Sequence, residues 1–295
     1  MKNRPLIDGG KLDRRHLFPA TVRLDIGDSE AYPDGEMWTC SGTLIAPQVV
    51  LTAAHCAEDT IASSHAKIHV NGPRQTDDEE GTTGVKSTIL TEAKIAKIKA
   101  MKKKGAQLSD ETAPDDLAIL ILDRPETLPS YPSLACGQPQ SGTPVSIAGY
   151  GVVAQITKTG SGAAAKFAID SKNEDVLSAR YYGSNHLVCR PDRVPDDFLE
   201  IQSTLSQLAN ASSQLTNHGD SGSGLMSPLG SIIYGVNSGL SPPEKDENGN
   251  FLDRPYVSQF SSVSSATGKA LLEYAKKTFP VEMKSVKLCP AENAE

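Results

Sequence analysis

The chain has 295 residues, enough for one large domain or two smaller ones packed together. Its 36 acidic against 29 basic residues give a formal net charge of −7, which argues against a nucleic-acid binder, and no apolar run reaches membrane-spanning length. With 38% hydrophobic residues, 5% aromatic and a single Trp, the core must rest on Val, Ile, Leu and Ala.

Met1 to Gly10 carries two basic residues but no apolar stretch after them, so it does not read as a secretory leader. The five cysteines nevertheless point to an oxidising compartment. Cys40 and Cys56 fall in segments that look adjacent in space, and the odd count leaves at least one thiol unpaired or intermolecular. The expectation is a secreted or periplasmic protein whose signal peptide is not part of this chain.

Short strand-like runs follow one another: Ala20 to Leu24, Gly42 to Ile45, Val49 to Thr52, Leu117 to Leu122, Val145 to Ala148 and Ile232 to Val236. Gly, Pro, Asn and Asp separate them, which is the texture of an antiparallel sandwich or barrel. Between these runs, Thr91 to Lys104 reads either as a helix capped by Thr91 and stopped by Gly105 or as a long strand. Its lysines suggest a solvated surface insert. Leu122 to Pro144 reads as a linker, and Thr157 to Ala165 as a mobile loop. Pro191 to Asn210 resists assignment, although Leu199, Leu205 and Leu208 suit a short helix. Asp246 to Asp253 holds Asn-Gly and reads as a hairpin tip; the partial calcium-loop spacing there lacks its closing Glu. Ser265 to Thr278 reads as a terminal helix stopped by Pro280.

Three stretches carry chemistry. Gly219-Asp220-Ser221-Gly222 sets a serine on a tight turn, where the glycines let the backbone fold closely and leave N–H groups free for an oxyanion. It also reads as an ordinary turn. His55 ends the apolar run Val49 to Ala54, and Cys56 beside it can pin the turn to the strand bearing Cys40; a general base needs such fixing. A buried structural histidine fits the same pattern. Asp116 precedes Leu117 to Leu122, at the mouth of a buried strand, where it can orient an imidazole or simply end a surface loop. His65 and His69 stand four apart, but Ala66 fills the place of a zinc peptidase's Glu, so no metal site is expected.

The order His55, Asp116, Ser221, with Thr52-Ala53-Ala54-His55-Cys56, Asp116-Leu117-Ala118-Ile119-Leu120 and Gly219-Asp220-Ser221-Gly222, resembles a chymotrypsin-like (trypsin family) serine peptidase. Cys40 to Ile45, Gly149-Tyr150-Gly151 and Gly235 to Gly239 extend the resemblance. It implies an all-β fold of two packed six-stranded antiparallel β-barrels with a C-terminal α-helix. Residues 7–130 would form the first barrel, and 131–295 the second, with the helix at about 265–278. It implies a serine endopeptidase working through an acyl-enzyme: Ser221 the nucleophile, His55 the base and acid, Asp116 its orienter, and the N–H groups of Gly219 and Ser221 the oxyanion hole. Ser238 would give Asp116 a further hydrogen bond, and Ser238, Gly239 and Leu240 would pair with substrate. The resemblance pairs Cys40 with Cys56, and Asp220 with an amine freed by a cut before Ile7. Leu215 at the base of the primary pocket, with Tyr256 nearby, argues against cleavage after Arg or Lys and for small or apolar residues. No cofactor is implied. The expected partner is a protein or peptide substrate, a proteinaceous inhibitor would fit the same cleft, and a monomer is expected. The alternative is a catalytically inactive relative acting as a binding module.

Overall fold

The computed structural model describes residues 10–28, 37–58, 60, 66–71, 82–104, 115–151, 153–162, 165–172, 179–188, 198–241 and 243–288. A two-residue strand, β1 (Lys11–Leu12), is followed by β2 (Thr21–Asp28), β3 (Met37–Ala46), β4 (Val49–Thr52), β5 (Ala66–Asn71) and β6 (Thr82–Leu90), then helix α1 (Glu92–Lys104) and β7 (Ala118–Leu122). Strands β2 to β7 close a barrel in the order β2-β3-β4-β7-β6-β5. In β2, Val22, Leu24 and Ile26 point into the core while Arg23 and Asp25 alternate outward, the period-two pattern of a half-buried strand. Every residue of β7 is buried. It reads as an unbroken apolar run because the C-terminal helix packs over it and over β6.

The second half comprises β8 (Ser133–Leu134), β9 (Pro144–Gly149), β10 (Val153–Thr159), β11 (Lys166–Lys172), β12 (Tyr181–Val188), β13 (Phe198–Ser203), helix α2 (Leu205–Ala209), β14 (Gly224–Met226), β15 (Ile232–Leu240), β16 (Tyr256–Ser262) and helix α3 (Ala266–Thr278). Its sheet runs β12-β13-β16-β15-β14-β9, and β9 pairs again with β12, so the six strands return on themselves. The fold is thus the mostly-β, chymotrypsin-like one, with a terminal helix. Ser265 Oγ caps α3 by accepting from Gly268 N. Leu271, Leu272 and Ala275 of α3 join the core that fills the first barrel.

Local expectations fare unevenly. Thr91 Oγ1 accepts from Lys94 N, so the ambiguous stretch is a helix capped where the sequence placed the cap; Gly105 lies outside the described residues. Thr157 to Thr159 are strand, not loop: β10 and β11 form a hairpin from Val153↔Lys172 to Thr159↔Lys166. Ile156, Phe167 and Ile169 pack it onto the second core, which outweighs the small residues at its tip. The expected linker contains β8, which pairs in parallel with β15 and so belongs to the second sheet. In Pro191 to Asn210, Leu199 is on β13. Leu205 and Leu208 are on α2, whose Thr204 and Gln207 form a capping box; residues 191–197 lie outside the described ones. Asp246 is a turn tip, its Oδ1 accepting from Asn248 N and Asn250 N.

One buried ion pair ties the N-terminal segment to the second half. Arg180 Nε donates to Asp13 Oδ2 at 2.8 Å, with the two side chains 1% and 0% exposed. Arg180 also donates to Thr21 O, and Asp13 accepts from Leu17 N and Phe18 N. Removing one partner of such a pair leaves a buried charge unbalanced. Arg180→Met should therefore cost about 3–5 kcal/mol in urea unfolding, and Asp13→Leu/Arg180→Met should recover most of it. An unchanged urea midpoint in the single variant would count against the assignment.

Candidate active site

Strand register builds the first part of the site. β4 pairs antiparallel with β7 through Thr52↔Ala118, so the chain leaving β4 and the chain entering β7 lie side by side. His55 follows Thr52 by three residues, and Asp116 precedes Ala118 by two. His55 Nδ1 lies 2.7 Å from Asp116 Oδ2, and His55 N donates to Asp116 Oδ1 at 2.8 Å. Asp116 is buried, with its side chain 3% exposed, against 29% for His55. Cys56 is joined to Cys40 of β3, with Cα atoms 6.2 Å apart, closing a loop worth about 3 kcal/mol of chain entropy. Cys40, His55 and Cys56 are close enough to suggest a metal cluster. The two sulfurs are bonded to each other, however, and offer no thiolate. Cys136 has its own contacts; Cys189 and Cys289 lie outside the described residues.

The second half brings the serine. At Gly222, φ is +83°, and a Cβ there would stand 2.1 Å from Thr52 Oγ1 and 2.2 Å from Ser41 O. Only glycine lets this turn press against β3 and β4, the strand that leads to His55. Ser41 then holds the turn: its N–H donates to Ser221 O at 2.7 Å and its hydroxyl to Gly219 O at 2.9 Å. Gly222 N donates to Asn237 O, and the next residue of β15, Ser238, donates from Oγ to Asp116 Oδ2 at 2.6 Å. The His55–Asp116–Ser238 group and the turn that bears Ser221 therefore both lie where the two halves touch. Among the described residues, Ser221 Oγ and His55 Nε2 make no hydrogen bond with each other. Such contacts commonly tighten only when substrate is bound.

Electrostatics follow from burial. Burial works against an imidazolium at His55, but the hydrogen bond and charge of Asp116, with the charge of Glu58, more than offset it, so the ring titrates above its ordinary value. Burial likewise pushes Asp116 up, while His55 and Ser238 pull it further down, so it stays ionised. Asp220 is fully buried. It accepts from Gly151 N and Asn217 N, both at 2.9 Å, and desolvation still raises it to about 7. Ile7, its expected partner, lies outside the described residues.

The expected substrate residues separate. Ser238, Gly239 and Leu240 lie beyond the reach of β14, which pairs only as far as Val236, so among the described residues one edge of β15 is open there. Leu215 and Tyr256 are buried in the core of the second half. Sequence reasoning missed Ser41, whose only signal was its place between Cys40 and Gly42. It also missed the buried chain in which Thr216 Oγ1 meets Ser258 Oγ at 2.8 Å and Asn237 Oδ1 at 3.0 Å.

The architecture and the paired site correspond to a chymotrypsin-like serine protease. The profile of the trypsin family matches residues 7–260, and the chain belongs to that family, whose members are in general serine endopeptidases. No curated protein matches significantly. Among solved structures, the chain is similar to an HL collagenase (TM-score 0.55, 16% identity, 95% of this chain and 99% of that one). It is similar to a Glu endopeptidase (TM-score 0.54, 17% identity, 94% and 98%). A scabies mite inactivated protease paralogue is a third such structure (TM-score 0.55, 19% identity, 91% and 99%). At these identities the likeness is one of fold.

Proposed function

We propose that the chain is a serine endopeptidase acting through an acyl-enzyme. The observation that carries this reading is the His55 ring, fixed through Nδ1 by a buried Asp116 that Ser238 also holds. With Nδ1 donating, Nε2 is the lone-pair nitrogen, on the side from which a serine proton is taken. Ser221 Oγ attacks the peptide carbonyl carbon as His55 Nε2 accepts its proton. The oxygen becomes an oxyanion facing the N–H groups of Gly219 and Ser221, for which no acceptor occurs among the described residues. The C–N bond then breaks as His55 returns the proton to the leaving amine, and water, deprotonated by His55, releases the acyl group. Asp116 remains ionised throughout.

Substrate backbone adds to the open edge at Ser238 to Leu240. Leu215 in place of a carboxylate disfavours Arg and Lys before the scissile bond, since a buried cation there would lack a partner. Tyr256 belongs to the same buried core, and on this reading the preference is for small or apolar residues. The disulfide and the family support secretion. A cut before Ile7 would bring an amine to Asp220, turning the cost of an isolated buried carboxylate into an ion pair and ordering the turn that holds Gly219 and Ser221.

The test is cleavage of a mixed peptide library by the chain with and without residues before Ile7. Trimming should raise kcat/KM by about tenfold or more, the equivalent of 1.4 kcal/mol. Equal activity of both forms would reject the activation step; no cleavage by either would favour the inactive binding module.

A further inference from the structure

Helix α1 sits in the connection between β6 and β7, close to the triad in the chain. It is rich in lysine, as a solvated helix would be, yet Lys94 is buried. Lys94 Nζ lies 2.9 Å from Glu58 Oε2, and the side chains are 6% and 7% exposed. A charge pair withdrawn from water in this way is rarely favourable for stability alone. Glu58 follows His55 by three residues. Its turn is held by Ala57 N donating to Ala54 O at 2.9 Å, and by Thr60 Oγ1 donating to Thr88 Oγ1 of β6 at 3.0 Å. The cap at Thr91 fixes the start of α1, and Ile98 anchors it in the first core. Glu58 thus stands on the turn that carries His55, and α1 reaches that turn through the Lys94–Glu58 pair, so their charges bear on the ring beside that of Asp116.

We propose that Glu58 and Lys94 form a charge-balanced support for the general base, with Lys94 of α1 limiting how strongly the neighbouring carboxylates hold His55 in its protonated form. Neither residue touches substrate; both are positioning residues, and the proposal rests on the peptidase reading above. Burial pushes the Glu58 carboxyl up and Lys94 pulls it down; an ionised Glu58 without Lys94 would favour the imidazolium and withdraw the base near neutral pH. An uncompensated Lys94 would disfavour the imidazolium, which the reaction needs after Ser221 gives up its proton.

The test is the pH dependence of kcat/KM on one cleaved peptide for the wild type, Lys94→Met, Glu58→Gln and the double variant. Lys94→Met should move the acid limb to higher pH and Glu58→Gln to lower pH, each by roughly half a unit or more, about threefold in rate on that limb. The double variant and Lys94→Arg should return close to the wild type. The same displacements should appear in NMR titration of the His55 ring, which needs no turnover. A chain without peptidase activity would thus overturn the functional reading while this inference is still read from the ring. Single variants that lose activity with an unmoved limb and an unmoved titration, or that shift in the same direction, would overturn it. If Lys94→Met fails to fold, Glu58→Gln decides the matter: a limb and a ring titration moved to lower pH, with Lys94→Arg unmoved, support the proposal, and an unmoved Glu58→Gln overturns it.

Discussion

Ser221→Ala should abolish measurable peptide hydrolysis, lowering kcat by about a millionfold when the nucleophile of an intact triad is removed. The fold should survive, because the contacts that hold the turn are made by backbone atoms: Ser221 O with Ser41 N, Gly219 O with the Ser41 hydroxyl, and Gly222 N with Asn237 O. Urea unfolding should change little, while progress curves on a cleaved peptide become flat. Residual cleavage within tenfold of the wild type would assign the nucleophile to another group.

The second large effect is expected at Asp116. Its two oxygens serve three donors: His55 Nδ1, His55 N and Ser238 Oγ. In Asp116→Asn an amide NH2 can face Nδ1, which then accepts, so that Nε2 carries the proton and cannot take another from Ser221. The expected loss in kcat at neutral pH is about 10⁴-fold. The pH profile gives an independent sign. His55 must be neutral to act as base, and it titrates above its usual 6.5 because the Asp116 hydrogen bond and charge outweigh burial. The wild-type kcat/KM should therefore fall as pH drops through a value above 6.5. In Asp116→Asn, burial is left less opposed and the acid limb should move to lower pH. A limb that stays in place would show that another group controls it.

The sequence made some of this legible and hid the rest for physical reasons. The candidate triad stands out because each proposed member sits beside an element with its own local signature: an apolar strand before His55, another after Asp116, and glycines around Ser221. Barrel strands such as β4 and β7 were equally plain, being unbroken apolar runs. Helix α1 stayed ambiguous because its apolar stripe is narrow, resting on Ile95 and Ile98 among lysines. The end of β10, Thr157 to Thr159, reads as part of the loop that follows it, since the apolar side of the β10–β11 hairpin is revealed only against the second core. Ser41 acts on a turn far along the chain, and Lys94 meets Glu58 across two elements, so no spacing in the sequence could announce either. The two-barrel arrangement itself came from family resemblance rather than from periodicity.

The central claim is that His55 activates the hydroxyl of Ser221. Labelling with a fluorescent organophosphonate, followed by peptide mass mapping, tests it most directly. The probe should attach at Ser221 in the chain trimmed before Ile7 and fail to attach in His55→Ala. An unlabelled Ser221 in the folded, trimmed chain, or labelling that persists undiminished without His55, would contradict it.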